Sequence, residues 1–445
     1  MNLRNTLVES LGEAVIATKS GRNLFAAGAC FGGPATSLWA ERVLAVTGTG
    51  VPPSLLLRHN RKLIEEISKK PGTNPIRDSY SRGESANETR SMFKGFGTNH
   101  AVRLRYPREN DFPERQGDLV ILKAPGENGE KGVILITYNE AFERAAAMFN
   151  LERMAEHYRF VLEPSFWGYQ NPAILLFLNL NTDVIIQCPS RIDYDFIKEV
   201  GRNFIPIRVG AGDWVDEAAF PEIDPTARRD YDLIMVANWL PYKRHRLLFQ
   251  HLTTMTGEIK RVALVGYPTG GYTREHIERD AEYYAIRKNI DIFEQIPFAD
   301  VLALLRRSKV AVMLTRREGA NRAFYEALFS DVPVIVTKES RGMNWDHVNS
   351  ETGCFTDDNE LANNILKVHA YRHLYHPRAW ALKNTGARRS STLLNEVVRQ
   401  AATSKGEPWT VDVAPKKNGP NALYLNDTTR IMLEPAYKNL EQFLR

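Results

Sequence analysis

The stretch Val310-Ala-Val-Met-Leu314-Thr-Arg-Arg-Glu-Gly-Ala-Asn-Arg-Ala-Phe-Tyr-Glu-Ala-Leu328 passes from an apolar, β-branched run through a glycine into a helical pattern. The run reads as a strand buried in a parallel sheet, and the segment from Asn321 onward as the helix that follows it. Gly319 lies between them, where a turn lets the backbone approach a ligand closely. A helix that begins just after a parallel strand presents unbonded backbone N–H groups and the positive end of its dipole. A phosphate or diphosphate is the natural occupant of such a place. Glu318 precedes the helix and Glu326 lies within it, with seven residues between them. A carboxylate is unfavourable beside phosphate, so each is expected to face a hydroxyl-rich neutral group and accept its O–H donors. Two solvated glutamates on a surface helix would show the same spacing. The strand before them and the glycine between them favour the ligand reading.

Outward from this stretch the pattern alternates between strand and helix. Strands are expected at 232–237, 261–265, 290–293, 310–314 and 333–337, with helices at 273–287 and 299–307 among others. Upstream, strands are expected at 132–137, 158–162, 183–187 and 204–209, with a helix over 141–157 after the first of them. The polar segment 221–230 reads as a linker. The rhythm implies an α/β protein with two Rossmann-like, doubly wound domains facing a cleft, and ligands then bind beyond the carboxyl ends of strands. The expected domains are 1–225, 226–400 and a tail over 401–445 that closes on an amphipathic helix at 435–444. The first hundred residues carry little pattern: 40–45 and 55–67 read as helices, and 73–97 as a long polar loop.

The chain has 445 residues, enough for two ordinary domains, and its net charge of +5 is small, with both signs interspersed. That distribution does not suit nucleic acid. Cys30, Cys188 and Cys354 form no CxxC pair, which argues against a zinc site or a disulfide framework. The apolar stretch 24–46 is broken by Gly32-Gly33-Pro34 and Glu41-Arg42, so no membrane span or secretory leader is expected, and a cytoplasmic protein is.

The first strand after the linker runs into Asn238-Trp239-Leu240-Pro241-Tyr242-Lys243-Arg244-His245. A lysine at a helix start is unfavourable against the dipole unless it meets an anion. Together with Glu318-Gly319 through Glu326-Ala327-Leu328, this segment resembles the retaining glycosyltransferases of B-type fold, glycosyltransferase family four. In that family the first glutamate of the E-x7-E motif contacts the transferred sugar and the second the ribose, while the backbone between them holds the diphosphate. The resemblance therefore implies a sugar-side role for Glu318, a ribose-side role for Glu326, and diphosphate binding by Gly319, Ala320, Asn321 and Arg322. It implies that Lys243 is the lysine of the family's phosphate clamp. Asn238 stands where the family has an arginine, a departure that weakens the phosphate clamp or passes it to Arg244.

The implied reaction moves a hexose from a nucleoside diphosphate sugar to a hydroxyl on a glycan, a lipid-linked molecule or a small molecule. The resemblance implies no cofactor and no metal, and a lipid-linked acceptor would require peripheral membrane contact. Two other readings share the fold: a catalytically inactive nucleotide-binding or scaffolding protein, and a nonhydrolysing nucleotide-sugar epimerase. Weaker matches are Gly210-Ala-Gly-Asp213 and the glycine turn of Ser350-Glu-Thr-Gly-Cys-Phe355. Acceptor-side candidates are Tyr138-Asn139-Glu140, Glu163 with the residues after it, Pro189-Ser-Arg191 and Asp213-Trp214. Cys30-Phe-Gly-Gly33 is a further glycine-loop candidate.

Overall fold

The computed structural model describes residues 119–445 apart from 165–171, 225–227, 317, 319–320 and 419–421, together with 64, 65, 67, 74 and 77. The expected helices at 40–45 and 55–67, the loop at 73–97, Cys30-Phe-Gly-Gly33, Gly319 and Ala320 lie wholly or largely outside the described residues. Strands are β1 (Leu119–Lys123), β2 (Gly132–Thr137), β3 (Tyr158–Glu163), β4 (Val184–Gln187), β5 (Phe204–Ile207), β6 (Tyr231–Val236), β7 (Val262–Gly266), β8 (Ile290–Glu294), β9 (Ser308–Met313), β10 (Val334–Thr337), β11 (Gly353–Thr356), β12 (Lys416–Asn418) and β13 (Ala422–Tyr424). The helices that concern us are α1 (Asn139–Met148), α2 (Leu151–His157), α3 (Arg191–Val200), α4 (His245–Leu252), α5 (Arg274–Tyr283), α6 (Phe298–Arg306), α7 (Arg322–Phe329), α8 (Leu361–Ala370), α9 (Pro377–Asn384) and α10 (Ala387–Thr403).

The chain forms two compact units. Among the described residues one is continuous, Glu217–Asn384, and the other is split, ending its first part at Asp216 and resuming with Thr385–Arg445. The boundaries thus differ from 1–225, 226–400 and 401–445, because α10 and the tail are part of the split unit. Its sheet runs β1-β2-β3-β4-β5, antiparallel only at β1–β2. Alternating side chains cover both faces. Ile134, Ile136, Phe160, Leu162 and Ile186 pack with Phe142, Met154 and Ile197 of α1, α2 and α3. Val133, Leu135, Val161 and Ile185 pack with Trp214 and with Leu394 and Val398 of α10. That is why β2 is a continuous apolar run: each fully buried side chain contributes about 1.5–3 kcal/mol on either face.

The tail also closes the free edge of β1, a strand that the sequence reading missed. The Ile121 N–H donates to the Tyr437 hydroxyl at 3.0 Å, the Tyr424 hydroxyl donates to the Ile121 carbonyl at 2.5 Å, and Ala414 N–H meets Leu122 O at 2.7 Å. An edge strand with its backbone satisfied this way offers no template to another chain. The expected helix 141–157 is broken at Phe149–Asn150, where the Asn150 side chain accepts the Arg153 N–H at 3.1 Å and caps α2. The expected helix at 435–444 is one short α-turn, Glu434–Lys438, followed by a 3-10 segment.

The continuous unit holds a six-stranded parallel sheet ordered β11-β10-β9-β6-β7-β8. The chain enters at β6, runs outward to β8, then crosses to β9 on the other side of β6. The strand order therefore reverses between β6 and β9, which is where doubly wound sheets bind ligands. No helix among the described residues is long and apolar enough to cross a membrane. The Cys188 thiol is buried and donates to the Ile186 carbonyl at 3.2 Å.

Candidate functional site

A cavity of about 390 Å³ opens at this reversal, lined by the ends of β6, β7 and β9 and by the start of α7. Asn238, Lys243, Glu318, Asn321, Arg322 and Glu326 all reach it. Six of the residues singled out from sequence are thus brought together, although Asn238 and Glu326 are far apart along the chain. Gly319 and Ala320 fall outside the described residues.

Lys243 ends the 3-10 turn Pro241–Lys243, and the next residue adopts a left-handed backbone with φ 66° before α4 begins. Its ammonium bonds directly to the Glu318 carboxylate, with the two side chains 12 % and 18 % exposed. Burial is the largest single influence on the Lys243 pKa and lowers it, but the Glu318 charge and hydrogen bond together with Tyr242 and Tyr267 outweigh it, so the net shift is upward and the ammonium stays protonated. The backbone of Glu318 is pinned from behind. Its N–H donates to Arg341 O at 2.9 Å, and Arg341 N–H to Arg316 O at 2.8 Å. Gly342, at φ +84°, lies so close that a Cβ there would stand 1.7 Å from the Glu318 carbonyl oxygen. Sequence reading missed Gly342; its signal was a lone glycine in the polar loop after a strand.

On α7, Glu326 is buried and pairs with Arg322 one turn earlier at 3.0 Å. Burial raises the Glu326 pKa, and Arg322 opposes the rise. Asn321 makes no side-chain cap at the helix start, and its amide points to the Met343 sulfur at 3.6 Å. The Asn238 side chain accepts the Leu240 N–H at 3.2 Å and so shapes the loop that leads to Lys243. Exposed rings of Tyr267 and Phe298 stand at the cavity rim, and neither was singled out from sequence.

Beneath Lys243 lies a closed layer. The Trp239 indole N–H donates to Glu294 at 2.8 Å, and the His245 ring packs 5.6 Å from the Trp239 ring. Burial, then the Lys243 charge, pushes the His245 pKa down to about 3, so its imidazole is neutral at ordinary pH.

Several expected contributors stand elsewhere. Arg244 does not line the cavity: its guanidinium pairs with Asp358 and donates to Leu314 O at 3.2 Å, because the left-handed backbone turns it away from Lys243. Residues 350–352 form a turn, with the Gly353 N–H donating to Asn349 O at 2.9 Å, but none of them lines the cavity; Gly353 opens β11 opposite Val334, where a Cβ would meet the Val334 oxygen at 1.9 Å. Asp213 and Trp214 are buried. The Asp213 carboxylate accepts the Gly210 N–H at 2.8 Å and the Thr385 hydroxyl at 2.9 Å, and the Trp214 indole donates to Gln187 at 3.0 Å. The Thr385 contact ties Asp213 to the returning chain. Ser190 caps α3 by accepting the Asp193 N–H at 3.2 Å. Glu163 is sealed against Lys416.

No curated protein matches the chain. Among solved structures it is similar to TarM, at 14 % identity and a TM-score of 0.47 over 60 % of this chain and 54 % of that one, so the chain spans about half of TarM's length. Sucrose-phosphate synthase from Thermosynechococcus elongatus is similar at 15 % identity and a TM-score of 0.48, over 61 % and 74 % of the two chains. Anabaena Alr3699/HepE in complex with UDP is similar at 16 % and 0.48, over 60 % and 78 %. Residues 217–376, which include every residue that lines the cavity, match the model of the family described as glycosyl transferases group 1.

Proposed function

We propose that the protein is a retaining hexosyltransferase that binds a nucleoside diphosphate sugar in the cavity of the continuous unit and passes the hexose to a hydroxyl acceptor. The observation that carries this reading is one cavity, at the reversal of strand order and inside the matched segment, where a helix start and Lys243 stand beside two carboxylates. The diphosphate lies against the start of α7 near Asn321 and Arg322. The ribose hydroxyls donate to Glu326 and the hexose hydroxyls to Glu318, while Tyr267 and Phe298 flank the base. In the reaction the bond from the anomeric carbon to the β-phosphate oxygen breaks, and the acceptor oxygen bonds to that carbon on the same face. The acceptor proton leaves with the diphosphate. Negative charge grows on the departing oxygen, and Lys243 with the α7 N–H groups stabilises it without a metal.

Calorimetric titration with UDP, GDP and ADP, and with UDP-glucose, GDP-mannose and ADP-glucose, tests the donor assignment. Binding of one nucleotide and its sugar conjugate is expected, and no binding by any of the six at millimolar concentration sinks it. NMR of the product then reads the configuration at the anomeric carbon, and inversion excludes the retaining assignment.

A further inference from the structure

Both cations at the cavity already have carboxylate partners: Lys243 holds Glu318, and Arg322 holds Glu326. The two pairs differ in what a ligand must do to them. Arg322 and Glu326 stand one turn apart on the same helix at 3.0 Å, and a ligand can contact either while the pair stays whole. Lys243 and Glu318 come from separate loops and meet only through the cavity wall.

Building on the donor assignment above, we propose that Glu318 makes the cavity prefer the sugar nucleotide over the nucleoside diphosphate that remains after transfer. A diphosphate that draws the Lys243 ammonium to itself weakens its hold on Glu318. The Glu318 backbone cannot follow the ammonium, because its N–H is bonded to Arg341 and Gly342 abuts its carbonyl. The carboxylate, only partly exposed, then loses contact with its cation and faces a second negative charge. An intact donor repairs this loss, since hexose hydroxyls donate to the vacated carboxylate. The free diphosphate carries no such hydroxyls, so it meets an unpartnered charge and is held less tightly. The ion pair thus acts as an internal anion that competes with product more than with substrate, and it favours product release. Glu326 does not discriminate, because the ribose that it faces is present in both ligands.

The test is calorimetry on the full chain with UDP, GDP and ADP and the same three sugar nucleotides, comparing the wild type with Glu318→Gln. The Gln side chain keeps the shape and removes the charge. The diphosphate that the wild type binds is expected to bind Glu318→Gln about tenfold tighter, while its sugar conjugate gains little, so the preference for donor collapses. In the Lys243→Ala background the gain from Glu318→Gln should shrink, as two residues of one pair require. An unchanged or weaker diphosphate affinity in Glu318→Gln, with the wild type binding normally, overturns the inference alone. So does a gain that is undiminished without Lys243. Binding by neither chain removes the donor assignment and the inference with it.

Discussion

At the end of β3 in the split unit, Lys416 bonds Glu163 at 2.9 Å with the side chains 1 % and 3 % exposed. Beyond β9 of the continuous unit, Lys243 bonds Glu318 at the wall of an open cavity. The partners are chemically identical, yet their surroundings give them opposite tasks. The Lys416 ammonium also donates to Asn418 at 2.8 Å and sits 4.0 Å from the centre of the Trp214 ring, while Asn418 donates to the second Glu163 oxygen at 3.1 Å. Nothing remains for a ligand to take, and the pair fastens β12 over the sheet end. At Lys243 one side of the pair faces empty volume, so a competing anion can reach it. A lysine–glutamate pair with every other direction filled has only a structural task, whereas one left open on a side is accessible to a ligand.

The largest effect expected from this contrast is at Lys416. Lys416→Met should lower unfolding free energy by about 3–5 kcal/mol in urea titration, because Glu163 stays buried without its cation. Lys243→Met should lower it by a smaller amount in the same experiment, because Glu318 lies at an open cavity where water can reach the carboxylate left behind. A similar loss at both positions breaks the comparison. Function should show the reverse order. Lys243→Met should slow transfer by about 100-fold or more, as the charge on the leaving diphosphate goes unopposed. Near-normal turnover there, with Arg244→Met inactive, would move the clamp to the residue that the structure ties to Asp358.

Smaller effects sharpen the picture on the continuous unit. Glu326→Gln should weaken nucleoside diphosphate binding by about tenfold through lost charged hydrogen bonds from the ribose, and unchanged affinity would detach the ribose from α7. His245 predicts a pH dependence. Its folded pKa is about 3 and its unfolded value 6.5, so the unfolded chain binds the extra proton as pH falls between them. The stability it supports is complete above 6.5 and is lost progressively below. By pH 5.5 the loss is about 1.4 kcal/mol, and His245→Phe should remove that part of the acid slope in denaturation curves. A slope unchanged by the substitution would mean that the imidazole is not sealed.

The outlines of this protein were legible because short-range physics writes them. Apolar runs of strand length gave nine of the strands to within two or three residues, and a glycine between strand and helix drew attention to 315–328. The same locality explains why Glu318 and Glu326 were found: they share one loop and helix, so spacing along the chain stands in for distance in space. Lys243 was found from its position after a strand. What the sequence left undecided depends on contacts between distant residues. The Thr385 hydroxyl meets Asp213 across 172 residues, and that meeting makes α10 part of the split unit and seals a carboxylate that had looked available to an acceptor. Arg244 is drawn to Asp358 across 114 residues and leaves the cavity. Gly342 owes its role to the Glu318 backbone, which only folding brings behind it. Periodicity and turn chemistry act over a few residues and can be read directly. Whether a charge is sealed or open depends on which distant segment arrives to cover it, and that was decided by the tertiary structure alone.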